Sequence, residues 1–475
     1  MIDLGHLKGK RYAVMGLAKS GLATALALRD SGVEILAWDD GESGRAAAAA
    51  SGIPLTDLST ADLTGVEALL LSPGIPHTFP KPNAVAARAK AAGIPIIGDI
   101  ELLQGAQPKA AYVGITGTNG KSTTTALIGH ILALAGRRIQ VGGNLGTPVL
   151  SFEPLGEGGI YVLEMSSYQL ELAPSVSFNV AVLLNVTPDH LDRHGGMDGY
   201  IAAKRRIFQH PKRSHTAVIG VDDEHCRALF DEMEHTVDSS IIPISAERPT
   251  KGVYVLDGKL FDGGTEPVID LSDVAALPGR HNWQNAAAAF AATRACGVPL
   301  EMVLQGLRTF PGLAHRQQLV AVRDGVRFVN DSKATNADAA AKALVCYDAI
   351  YWIIGGLPKE GGLDGLEPFM PRVRHAFVIG QASALFAAWL DAHGVAHTEC
   401  AVLENAVPAA ARMARADASP GATVLLSPAC ASWDQFKSFE HRGEVFTDLV
   451  ANLVDANPVD PSLGDDDVVT KEIAG

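Results

Sequence analysis

Lys121 and Ser122 stand side by side directly after a glycine-bearing turn, Gly117-Thr118-Asn119-Gly120, with Thr123 opening the run that follows. This combination can grip a nucleoside triphosphate. Glycines let backbone N–H groups turn onto phosphate oxygens, a lysine reaches the β- and γ-phosphates, and a serine hydroxyl sits on Mg²⁺. The strict form of such a loop has glycine five positions before Gly120, where this chain has Ile115; its glycines are Gly114, Gly117 and Gly120. Glu164 ends an apolar run, where a Mg²⁺ ligand is needed near a phosphate loop, and Asp189 and His190 end another. Lys204-Arg205-Arg206 lies in a helix-compatible stretch, and such a run is ordinarily a solvated basic face. Asn282 and Asn285 precede an alanine-rich run, where N-capping is the ordinary role. Further along, Asp331, Lys333, Thr335, Lys359 and Ser432 each follow an apolar run, and Arg316, Lys333, Lys359 and Arg442 are cations suited to carboxylate or phosphate. A ligase, a kinase and a simple nucleotidase all fit these residues.

The elements that must carry them alternate between short apolar runs and helix-compatible stretches. In residues 1–108, runs at 11–15, 33–38, 68–71 and 94–97 predict strands of a Rossmann-like lobe with ligand turns at their C-terminal ends. Its first turn is Gly16-Leu17-Ala18-Lys19-Ser20-Gly21, and Asp39-Asp40 ends the second strand; a ligand site and a plain connecting turn fit equally. Residues 109–313 predict a central lobe with strands at 112–115, 161–163 and 180–184, a helix at 123–134 and a second at 286–296. Residues 314–457 predict a third α/β lobe with strands at 326–330, 350–354, 376–379 and 424–426. Residues 458–475 hold Asp465-Asp466-Asp467 and little apolar periodicity, which predicts an ill-ordered acidic tail.

At 475 residues the chain is long enough for two to four domains, and a formal net charge of −14 argues against a nucleic-acid partner. Local cations still suffice for small anionic ligands. The cysteines are scattered, with no C-x-x-C pair, so a zinc site and a disulfide framework are not expected and a reducing cytoplasm is. No apolar run is long enough to span a bilayer, and no signal-peptide pattern opens the chain.

Taken in order, Gly117–Ser122, Leu163-Glu164-Met165-Ser166-Ser167-Tyr168-Gln169, Asp189-His190, Gly279-Arg280-His281-Asn282, His315-Arg316, residues 330–336 and Ser427-Pro428-Ala429-Cys430-Ala431-Ser432 closely resemble the Mur ligases. These are ATP-dependent amide ligases of bacterial peptidoglycan synthesis. The resemblance implies a three-lobed α/β enzyme using ATP and Mg²⁺. The short first lobe, Ser72-Pro73-Gly74 and residues 434–443 resemble the branch that joins D-glutamate to UDP-N-acetylmuramoyl-L-alanine through an acyl phosphate. It further implies that the first lobe binds the UDP-sugar, with Ser20, Asp39, Asp40, Gly74, Asn144 and His190 around it. Gly117, Thr118, Asn119, Gly120, Lys121, Ser122, Thr123, Asn282, Asn285, Arg316, Asp331 and Lys333 would hold ATP. Ser122, Glu164, His190 and Lys204 would hold metal, Lys204 where the family carries a carbamylated lysine, and Lys121, Glu164, His190 and Lys204 would be catalytic. Thr335, Lys359, Ser432 and Phe439 would form the D-glutamate pocket. A monomer acting on small molecules in the cytoplasm is the corresponding expectation. A sibling ligase for another amino acid, a folate polyglutamate ligase and a non-catalytic nucleotide-binding regulator are the competing readings.

Overall fold

The computed structural model describes residues 1–144, 146–209, 215–236, 240–274, 276–359 and 361–453; the acidic stretch 458–475 lies outside the described residues. The chain folds around three sheets, of four, nine and six strands. Residues Met1–Gly312 form one compact unit holding the first two sheets, and a second unit begins at Leu313.

The first sheet is wholly parallel, in the order Glu34–Trp38, Arg11–Met15, Val66–Leu71, Ile96–Ile97. Apart from Arg11, Glu34 and Glu67, its strands are apolar runs, because helices cover a parallel sheet on both faces. The turn after Arg11–Met15 needs glycine. Gly16 has φ +92°, and a Cβ there would lie 2.6 Å from the Ser72 hydroxyl oxygen.

In the central sheet six strands run parallel, in the order Ile139–Gly143, Ile160–Glu164, Ala111–Thr116, Val180–Leu183, Thr216–Gly220, Ser240–Ser245. Val253–Leu256 continues in parallel, and Lys259–Asp262 and Pro267–Asp270 close the edge antiparallel. Period-two alternation divides the central strand between two cores. Val113 and Ile115 face the helices Lys121–Leu134 and Arg280–Ala295. Tyr112 faces the other way, stacks on Tyr161 at 5.3 Å, and shares a cluster with Ile100 and Leu103 of the helix Asp99–Ala106. That cluster runs through both lobes. The helix Arg280–Ala295 is buried from Ala286 to Ala292, and its alanines let it lie flush against both the sheet and the neighbouring helix Lys121–Leu134.

The third sheet has the order Gln318–Arg323, Val326–Asn330, Ala422–Leu426, Ala349–Gly355, Val373–Ile379, His397–Ala401, with only the first pair antiparallel. No helix among the described residues is long and apolar enough to cross a membrane. Cys226, Cys296, Cys346, Cys400 and Cys430 are all free thiols.

Candidate active site

The phosphate loop joins the C-terminal end of Ala111–Thr116 to the helix Lys121–Leu134. Gly120 caps that helix in the left-handed region, φ +83°, and a Cβ on it would sit 2.1 Å from Asn285 Oδ1. Neither the dihedral nor the space admits a side chain. Asn185, at the end of the neighbouring strand, braces the loop: its carbonyl accepts from Thr118 N at 2.9 Å and its Oδ1 from Asn119 N at 2.8 Å. Below the helix, Asn285 Oδ1 accepts from Thr124 Oγ1 at 3.3 Å, and Asn285 Nδ2 donates to Asn282 Oδ1 at 3.1 Å. Both asparagines are buried, inside the first two turns of their helix rather than at its cap.

Two lysines converge on this loop. Lys121 Nζ donates to the Gly117 carbonyl at 2.9 Å and to that of Thr118 at 2.8 Å. Lys204 Nζ donates to the same Gly117 carbonyl at 2.7 Å and lies 4.5 Å from the Tyr200 ring centroid. The solvated basic face expected of Lys204-Arg205-Arg206 is thereby corrected. Lys204 is 2% exposed, and only Arg205 is fully at the surface, paired with Glu232. Burial, and then the Lys121 ammonium, lower the Lys204 amine from 10.5 to about 7.

Glu164, last residue of Ile160–Glu164, is 3% exposed. Its Oε1 accepts from Asn144 Nδ2 at 2.8 Å; its Oε2 is buried and has no hydrogen-bond partner among the described residues. Asn144 thus stands beside the carboxylate expected to hold metal. Ser122 is buried and Thr123 half-buried in the first turn of the loop's helix. His190 is exposed, in the left-handed region at φ 52°, with Nε2 3.5 Å from Asp189 Oδ2 and its ring 5.4 Å from that of Tyr168. Among the described residues, no group of three or more His, Cys, Asp or Glu forms a ready-made metal cluster. A cation here would draw on hydroxyl, phosphate and modified-lysine oxygens as well.

On the first sheet, Asp39 Oδ2 accepts from Leu17 N at 2.5 Å and its Oδ1 from Gly41 N at 2.7 Å, so this carboxylate shapes the strand-end turns. Asp40 Oδ2 accepts from Asn83 Nδ2 at 3.0 Å. Ser20 sits in the first turn of Lys19–Asp30, and Gly74 opens onto free space, with no atom within 4 Å of where a Cβ would be. Lys19 Nζ reaches the Gly146 carbonyl of the central lobe at 2.7 Å.

In the second unit, Lys333 Nζ lies 3.8 Å from the Phe439 ring centroid, joining a residue expected at the nucleotide to one expected at the amino acid. Asp331 is buried, accepting from Ser427 Oγ at 2.8 Å and from Gln317 N at 3.2 Å, and burial raises its carboxyl to about 7. Arg316 and Lys359 are exposed, Thr335 is half-buried and Ser432 is buried. Arg442 corrects its expectation as a ligand-facing cation. It is 0% exposed, and its guanidinium donates to Ser332 Oγ and O, Cys430 O and Ala431 O. It ties the loop bearing Lys333 to the loop bearing Ser432. The contacts of Asn185 and Tyr200 with the phosphate loop and this internal role of Arg442 were not anticipated from the sequence. Asn185 had a signal, a polar residue at the end of a buried strand.

A phosphate loop on a mostly parallel sheet, with a buried carboxylate at the next strand end, defines a nucleotide-binding α/β protein. The Mur ligase middle domain matches residues 115–293. The UDP-N-acetylmuramoylalanine–D-glutamate ligase of Rhodospirillum rubrum is 54% identical over 462 residues, covering 95% of this chain and 97% of the relative. That of Caulobacter vibrioides is 49% identical over 466 residues, with 95% and 98% covered. Among solved structures, the UDP-N-acetylmuramate-alanine ligase of Thermotoga maritima shares the fold at TM-score 0.56 and 17% identity, covering 93% of this chain and 99% of that one. The chain belongs to the Mur ligase family, in the branch of the UDP-N-acetylmuramoylalanine–D-glutamate ligases.

Proposed function

We propose that this enzyme uses ATP to join the carboxylate of UDP-N-acetylmuramoyl-L-alanine to the amine of D-glutamate, with the side chains described above in the following roles. The observation that carries the site assignment is the buried Oε2 of Glu164, without a hydrogen-bond partner among the described residues, beside a phosphate loop with two converging lysines.

A carboxylate is a poor electrophile because its charge repels a nucleophile. Phosphoryl transfer from ATP turns one oxygen into a leaving group and gives an acyl phosphate. The D-glutamate amine then attacks, and the tetrahedral adduct collapses to amide and phosphate. The first step brings two anions together, so positive charge must be stationed there in advance. Gly117, Thr118, Asn119, Gly120 and Thr123 would cradle the triphosphate, Lys121 would hold the transferring phosphoryl group, and Asn282 and Asn285 would support the nucleotide end. Glu164, Ser122, His190 and a Lys204 carbamate fit Mg²⁺ as oxygen and nitrogen donors. When bound, that cation would neutralise the approaching carboxylate and γ-phosphate. Lys204 suits the carbamate because the neutral amine is the form that adds CO₂, releasing a proton, and burial holds this amine near neutrality.

Residues 1–108 would bind the UDP-sugar through Ser20, Asp39, Asp40 and Gly74, with Asn144 and His190 of the central lobe beside it. Residues 109–313 would bind ATP. Residues 314–457 would bring Arg316, Asp331 and Lys333 to the nucleotide and Thr335, Lys359, Ser432 and Phe439 to D-glutamate. Exclusion of water from the acyl phosphate favours a reaction in a closed state. Free thiols support a reducing cytoplasm as its compartment, and the enzyme would act as a monomer.

Incubating the purified protein with UDP-N-acetylmuramoyl-L-alanine, ATP, Mg²⁺ and single amino acids tests this. Amide formation and phosphate release with D-glutamate are expected. Turnover with L-lysine or meso-diaminopimelate in its place would overturn the assignment.

A further inference from the structure

One buried string of polar side chains has no part in the chemistry above. His194 is 4% exposed; its Nδ1 lies 3.0 Å from Glu171 Oε1 and its Nε2 lies 2.9 Å from Ser167 Oγ. In the tautomer that carries its hydrogen on Nδ1, Nδ1–H donates to the Glu171 carboxylate oxygen and Nε2 accepts from the serine hydroxyl. A Ser–His–Glu string has the form of a hydrolytic triad. Here Ser167 is itself 4% exposed, so no substrate reaches its hydroxyl, and the string acts by holding position.

What it holds is legible at both ends. Ser167 begins the short helix Ser167–Glu171, three residues after Glu164. The His194 ring stacks on Tyr168 at 5.3 Å and meets Tyr200 at 5.3 Å, and the Tyr200 hydroxyl is 3.1 Å from Thr118 Oγ1 in the phosphate loop. In the other direction, Glu171 Oε2 is 4.0 Å from His77 Nε2. Arg193, next to His194, lays its guanidinium 4.7 Å from the Tyr168 ring centroid and donates to the carbonyls of Phe79, at 2.8 Å, and Pro73, at 3.4 Å. The loop of residues 73–79, which carries Gly74, is thus tied through His194 to the phosphate loop and to the segment behind Glu164.

We propose that His194 is a positioning residue that sets the register between the 73–79 loop and the phosphate loop. This rests on the function proposed above, in which one long substrate is anchored by its uridine end on the first sheet and presents its carboxylate at the second. Such a substrate reacts only if the two anchor points are correctly spaced, and a displacement of about 1 Å can lower a rate about 100-fold.

The test compares wild type with His194→Phe, which keeps the ring stack and deletes both hydrogen bonds, His194→Gln, which can keep one, and Ser167→Ala. The kcat/KM for UDP-N-acetylmuramoyl-L-alanine falls about 10- to 100-fold in His194→Phe, with His194→Gln and Ser167→Ala in between. Calorimetric affinities for UDP alone and for ADP alone stay at wild-type values, because each fragment touches one anchor only. Wild-type kcat/KM in His194→Phe would overturn the proposal. So would a parallel loss of UDP and ADP binding, the signature of simple misfolding. If His194→Phe does not fold, Ser167→Ala carries the test by the same readings. A wild-type protein that forms no D-glutamyl product defeats the proposed function instead, and is seen before any variant is made.

Discussion

Lys204→Met is the perturbation whose outcome follows most directly from the structure. The amine is held at about 7 against 10.5 in the unfolded chain. At about 1.4 kcal/mol per decade, burying the ammonium disfavours the folded state by about 4 kcal/mol at pH 7 and about 1 kcal/mol at pH 9.5. The sign follows from proton counting. Between those pH values the unfolded chain binds more protons at this position, so stability rises with pH as the penalty disappears. Methionine has similar length and no charge, and it loses the bond to the Gly117 carbonyl and the contact with Tyr200, together about 1–3 kcal/mol. In Mg²⁺-, nucleotide- and bicarbonate-free buffer, Lys204→Met is therefore more stable than wild type by about 1–3 kcal/mol at pH 7. That advantage shrinks by about 3 kcal/mol on going to pH 9.5. Urea unfolding of both proteins across this range is the assay. Amide formation by the variant is lost at every pH. A stability difference that does not change with pH, or a variant less stable than wild type at pH 7, would refute the reasoning.

Gly120→Ala forces a Cβ to 2.1 Å from Asn285 Oδ1 at φ +83°, so ADP affinity falls by at least tenfold and the melting temperature drops; calorimetry and a thermal scan read both. Arg442→Ala leaves buried carbonyls at Ser332 and Cys430 unpaired and destabilises the protein by about 3 kcal/mol or more, and Arg442→Lys restores only part of this because an ammonium lacks the planar fork. In Arg442→Lys the KM for D-glutamate rises, measured with ATP and the UDP-sugar saturating; an unchanged KM would show that this residue does not shape the proposed D-glutamate pocket.

The sequence made the phosphate loop and the strand ends readable because both are local. Backbone at Gly117–Gly120 is dictated by glycine placement, and Glu164 and Asp331 are marked by the apolar runs before them. Lys204 was obscured by its neighbours. In the helix Met197–Arg205 it is Tyr200, Ala203 and Lys204 that face inward, an i, i+3, i+4 spacing, while Arg205 points out. The charge run concealed that stripe. The antiparallel edge at 253–270 carried a hairpin signal in Asp257-Gly258, whose φ values of +48° and +78° suit a tight turn, yet nothing nearby shows that the pair continues a parallel sheet. The internal bonding of Arg442 and the role of His194 could not be read. Their partners lie as far as 110 residues away in one case and 27 in the other, and such contacts exist only once the sheets are assembled.

The single carbonyl oxygen of Gly117 receives both Lys121 and Lys204. Lys121, proposed above to hold the transferring phosphoryl group, is therefore already engaged with the loop's own backbone, and Lys204 shares one of its acceptors. An arriving nucleotide does not enter a vacant cationic hole. It displaces an internal acceptor, so its binding is an exchange of one oxygen for another. An anion with a single weak oxygen gains little from such an exchange, whereas a triphosphate offers several at once. Under the function proposed above, a loop closed on itself in this way favours a ligand with several oxygens, because such a ligand can replace each contact it breaks.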